Sequence, residues 1–156
     1  MTSINDFVEL TSNWIKMKNI FFVLAFVFIF NSCGRQDPSN QIAKLGGYWE
    51  IESVTLTDGN KIDFSINAVV DFIEVSEEKG IRTKVAPQFN GSFINNGTAD
   101  EFNLKIEEDS LRLYYTTPFD SWKETVLLAT DSVLKILNRD SKVYTYKKFR
   151  KFNFGK

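Results

Sequence analysis

From Tyr48 onward, apolar and polar residues alternate in short runs bounded by turn residues, and no apolar pattern of helical period persists for three turns. This pattern predicts an all-β chain. "YWEIESVTL" is closed by Asp58 and Gly59, "AVVDFIEV" by Ser76 to Gly80, and "IRTKV" by Pro87. "GSFI" runs to Asn96 and Gly97, where a two-residue hairpin turn is expected, because both central positions of a type I′ turn need positive φ. Phe102, Leu104 and Ile106 then share one face of a strand, with Asn103, Lys105 and Glu107 on the other. "LRLYYTT", "WKETVLLA", "VLKIL" and "KVYTYKKF" complete the series. Strand signals spaced by about 8 to 12 residues describe an antiparallel sandwich or barrel, and periodicity does not choose between them. Ile42 to Leu45 predicts one helical turn before Gly46 and Gly47.

The pattern ahead of Cys33 is different. Ile20 to Phe30 is an unbroken apolar run, about half of the roughly 20 residues a spanning helix needs. It has the length of a signal-peptide core, about 7 to 15 residues, and follows the positive Lys16 and Lys18. Met17 opens the compact start "MKNIFF", so that Met1 to Lys16 is an extended reading frame. The other reading keeps "MTSINDFVELTSNWIK" as a leading segment, with Phe7, Leu10 and Trp14 at helical spacing. Ser32, Cys33 and Gly34 at the end of the run resemble the lipobox of bacterial lipoproteins, with Phe30 and Asn31 departing from the usual residues. The resemblance implies cleavage between Ser32 and Cys33 and lipidation of Cys33, which anchors the protein in the bacterial cell envelope; the outer membrane is the expected site, with the periplasmic or surface face left open. "GRQDPSNQ" after it has the composition of a flexible spacer. The expected division is a signal peptide over 1–32, a tether over 33–44, a β domain over 45–150 and a basic, aromatic tail over 151–156.

Gly47, Tyr48 and Trp49 form Gly-x-Trp at the entry to the first strand, which resembles the opening motif of lipocalins. The order of hairpins through "SWKETVLLATDSVLKILNRDSKVYTYKKF" is similar to the lipocalin-like domains of bacterial lipoproteins. The resemblance implies an up-and-down, lipocalin-like antiparallel barrel. It also implies that Trp49 closes one end beneath a basic side chain from near the last strand. Arg150 is the candidate and Lys148 the reserve. Phe72, Phe102, Leu104, Ile106, Leu113, Tyr115, Val126 and Leu128 can supply an inward face, and all of these but Val126 are the candidate ligand-binding positions.

Composition narrows the chemistry. Lys and Arg number 19 against 20 Asp and Glu, a balance that gives no reason to expect a nucleic-acid partner. The single Cys is claimed by the lipidation reading, and His is absent, which removes the commonest neutral-pH base and metal ligand. Glu107 to Asp109 lead into a turn, and Asp58, Asn60 and Asp63 lack the rest of a calcium loop, so no metal or cofactor is expected. Ser53, Ser92, Ser121 and Ser132 have no His to activate them. The expectation is a non-enzymatic protein, anchored through Cys33, that holds a small apolar ligand noncovalently. The alternative is a structural or inhibitory module with a filled barrel core that meets another envelope protein. An apolar interior of about 300 Å³ or more would support ligand capture; buried paired carboxylates beside a hydroxyl would revive catalysis.

Overall fold

The computed structural model describes residues 36–150. The signal-peptide reading, the choice of start, Cys33 and the tail over 151–156 lie outside the described residues.

Asp37 and Pro38 open a helix, α1 (Pro38–Leu45). The Asp37 side chain accepts a hydrogen bond from Ser39 N at 2.9 Å, and Pro38 occupies a position whose N–H would be unpaired anyway. The helix therefore begins well before Ile42 and takes up most of the expected tether. Gln41 and Leu45 are buried on its inner face. Just ahead of it the Gln36 amide is fixed to Ala129 on a distant strand: its Nε2 donates to the Ala129 carbonyl at 2.6 Å and its Oε1 accepts from Ala129 N at 3.0 Å. The spacer composition of this stretch is misleading because its polar residues serve as caps and clamps.

Among the described residues nine strands come after the helix: β1 (Gly47–Thr55), β2 (Lys61–Asp63), β3 (Val70–Ser76), β4 (Lys79–Pro87), β5 (Phe93–Glu107), β6 (Ser110–Thr116), β7 (Ser121–Ala129), β8 (Val133–Leu137) and β9 (Val143–Lys148). Every pairing is antiparallel, and β1 pairs with β9. Eight strands thus close on themselves and leave no long open edge. The short β2 is added to the far half of β1, at Ser53 to Thr55, while the near half, Gly47 to Trp49, pairs with β3.

Three irregularities set which residues point inward. In β5, Thr83 pairs with Ala99 but Val85 with Asn95, so residues 96–98 bulge opposite Lys84. Asn96-Gly97 is therefore not a hairpin turn: Gly97, at φ 84°, supplies the left-handed backbone of a bulge inside a continuous strand. The turn lies earlier, at 88–92, closed by Gln88 N donating to the Ser92 carbonyl at 2.9 Å. In β7, Val126 pairs with Ile136 but Leu128 with Lys135, so a bulge at Leu127 reverses the facing of the residues beyond it. Ala129 enters the core and Leu128 faces away, against the expectation of strict alternation. The third break falls in β1, between Ile51 and Ser53.

The core fills the α1 end of the barrel. Leu45, Trp49, Leu111, Leu113, Ala129 and Leu134 have no exposed surface, and Ile73, Phe102 and Leu104 lie among them. On the opposite face of the sheet Tyr48 stacks on both Phe72 and Phe93, with ring centroids 4.4 and 4.1 Å apart. That contact binds the start of β5 against β1 and β3.

Candidate functional site

The closed end is built around the Gly-x-Trp motif. Trp49 Nε1 donates to the Leu45 carbonyl at 2.7 Å, satisfying the indole and one of the last carbonyls of α1 together. The cation over the indole is Lys148, not Arg150. Its Nζ lies 4.2 Å from the ring centroid and donates to the Gly46 carbonyl at 2.6 Å. Trp49 and Lys148 are direct partners across β1 and β9, whereas Arg150 lies exposed beyond the end of β9. Gly47 beside them holds φ 117°, a backbone conformation that residues with a side chain rarely adopt. Burial lowers the Lys148 pKa.

Above this floor the interior changes character. Asp71, Arg82, Lys84, Tyr115, Glu124 and Tyr146 converge around a cavity of about 270 Å³, walled also by Trp122, Ile136 and Tyr144. The ladder explains the convergence: Asp71 is opposite Lys84, Tyr115 opposite Trp122, and Ile136 opposite Tyr144, so each pair shares the inward face.

Arg82 sits at the centre. Its NH2 donates to Asp71 Oδ2 at 2.8 Å and to Tyr146 Oη at 2.5 Å, and its NH1 donates to Glu124 Oε2 at 3.1 Å. Lys84 Nζ pairs with the other Asp71 oxygen at 2.5 Å. Asp71 is only 2% exposed, and its burial favours the neutral acid; Arg82 and Lys84 together outweigh that penalty and hold its pKa below the usual carboxylate range. Glu124 goes the other way. Its burial is only partly offset by Arg82, which Asp71 shares, so its pKa is raised. Burial also pushes the Tyr146 pKa up to about 12 and raises that of Tyr115, which keeps both phenols protonated. The Tyr115 hydroxyl is buried near Arg82 and Glu124 yet has no hydrogen bond of good geometry. Its ring stacks on Trp122 at 4.8 Å.

Of the positions expected to bind a ligand, Tyr115 lines this cavity. Phe102, Leu104 and Leu113 fill the floor; Phe72 stacks on Tyr48 on the other face of the sheet; Ile106 is 49% exposed; and Leu128 faces away. Asp71, Arg82 and Glu124 are absent from the set that the sequence pattern suggests. Their signal is parity: Asp71 alternates with Ile73 and Val75, and Glu124 with Trp122 and Val126, so both are acids on an otherwise apolar face.

Residues 45–136 match the family described as "Lipocalin-like domain". Among solved structures, a lipocalin-like protein from Bacteroides uniformis ATCC 8492 is 12% identical, with 68% of this chain and 99% of that one covered and a TM-score of 0.43. An uncharacterized protein from Bacteroides eggerthii DSM 20697 is 11% identical, covering 67% and 98%, with a TM-score of 0.43. Apocrustacyanin C2 is 9% identical, covering 75% of this chain and 72% of its own, with a TM-score of 0.41. No curated protein matches the chain. With more than half of its length matched, and with eight strands closed around a Gly-x-Trp floor, the chain belongs to the lipocalin-like domain family.

Proposed function

We propose that the protein holds a small molecule noncovalently in the upper chamber of its barrel while lipidated Cys33 tethers it to the bacterial envelope membrane. One observation carries the reading: the barrel is filled at its α1 end but keeps a cavity of about 270 Å³ above, lined by aromatic rings and a buried charged cluster. Pockets for drug-sized ligands run from about 300 Å³ upward, so the occupant is smaller than these. It is amphipathic. A wholly apolar ligand would lie against Asp71, Arg82 and Glu124 without meeting the hydrogen-bonding capacity that their bonds to one another leave over, a cost of about 1 to 3 kcal/mol for each polar atom left unpaired.

The reading is non-catalytic. Asp71 and Glu124 are buried near a hydroxyl, but each is bound to Arg82 instead of sharing a proton with the other. That arrangement fixes polarity at the wall and gives neither acid the pairing that poises a proton for transfer.

Native mass spectrometry of the full chain, purified from the membranes of its own cells, tests both halves. Mass consistent with an acylated N-terminal Cys33 plus a releasable small adduct is expected. An unmodified Cys33 still joined to Ser32 would refute the tether, and the repeated absence of an adduct would refute capture.

A further inference from the structure

The charge inventory of the upper chamber is unequal. Three carboxylates line it, Asp71, Asp100 and Glu124, against two cations, Arg82 and Lys84. Asp100 lies directly opposite Arg82 across β4 and β5, so it belongs to the same inward row. Both cations are already engaged: Lys84 with Asp71, and Arg82 with Asp71 and Glu124. Arg139, near the rim, is neutralised by Asp120 at 2.5 Å and leaves the imbalance in place. A ligand anion would meet a net negative wall with no uncommitted positive partner. A ligand cation would meet acids that share too little positive charge, beside the aromatic faces of Tyr144 and Tyr146.

A second observation points to the same place. Tyr115, only 2% exposed, lines the cavity with its ring stacked on Trp122 at 4.8 Å and its hydroxyl buried beside Arg82 and Glu124. The tyrosine phenols of the wall can accept from an N–H as well as donate. An ammonium carries three donors, enough to meet Glu124, Asp100 and a phenolic oxygen at once.

Resting on the capture reading above, we infer that the chamber takes a small primary amine with an aromatic or apolar body, its ammonium set against Glu124 and Asp100. The amine completes the charge balance that Arg82 cannot supply to two acids, and its body lies against the tyrosine and tryptophan walls.

The test uses three probes of nearly equal size with the protein purified from its own cells: 2-phenylethylamine, 2-phenylethanol and phenylacetate, with binding followed by tryptophan fluorescence and by calorimetry. The amine is expected to bind at least about tenfold more tightly than the other two. Glu124→Gln is expected to erase that preference, and Asp100→Asn, at an exposed position, to weaken it in the same direction. Equal or tighter binding of phenylacetate or the alcohol would overturn the amine assignment but leave small-molecule capture standing. An amine preference untouched in both variants would overturn the roles given to the two acids. If no probe binds, a cell-derived adduct lacking a basic nitrogen overturns the amine assignment alone, and the lack of any adduct removes the capture reading with it.

Discussion

At the scale of single residues, the closing of the barrel depends on one cation and one ring. Lys148 and Arg150 have the same inward parity and similar chemistry, but strand pairing reaches Lys148 and stops before Arg150. Lys148→Ala should cost about 0.5 to 2 kcal/mol in urea unfolding, the range of a cation over an indole, with the Gly46 carbonyl losing its donor as well. Arg150→Ala should stay within about 0.5 kcal/mol of the parent, as a surface change does. Equal losses in the two variants would mean that the floor is held some other way. The Gly-x-Trp motif is legible from sequence because its requirements are local. The choice of cation is not, since it depends on where the last ladder hydrogen bond falls.

At the scale of elements, the bulges do more than the strands to place the upper chamber. Residues 96–98 opposite Lys84 separate the end of β5 that packs on Tyr48 from the part that carries Asp100. A Cβ at Gly97 would meet no atom within 4 Å, so its replacement isolates the backbone effect. Gly97→Ala should destabilise the fold by about 1 to 2 kcal/mol, the cost of a side chain at positive φ, with no change in packing. An unaltered unfolding midpoint would show that the bulge relaxes freely. The alternating pattern identifies most strands because burial on one face enforces period two. It misplaces the β4–β5 turn and the facing of Leu128 because an inserted residue shifts parity without leaving an apolar signature; Asn-Gly serves a turn and a bulge equally well.

At the scale of the molecule, the interior charge cluster links stability to pH, and its two acids act in opposite directions. Asp71 has a lowered folded pKa, so its contribution is present above its unfolded value of about 4 and is lost as pH falls through the folded one. Glu124 has a raised folded pKa, so the folded state holds its proton longer, and stability declines as pH rises from about 4.5 through the folded value. Urea titrations across this range should find that Glu124→Gln flattens the decline above pH 4.5, whereas Asp71→Asn costs about 3 to 5 kcal/mol at neutral pH by leaving Arg82 buried beside a weaker partner. A Glu124→Gln profile parallel to that of the parent would count against the linkage. By itself, the sequence determined that the body is an antiparallel β domain opened by a Gly-x-Trp motif, because strand alternation and turn chemistry act between neighbours along the chain. It also limited the chemistry to that of a protein without His. Only the tertiary structure decided that the barrel is solid at one end and charged at the other. Asp71, Arg82 and Glu124 come from three strands, and what joins them is barrel closure and bulge-corrected register, long-range geometry that no local pattern records.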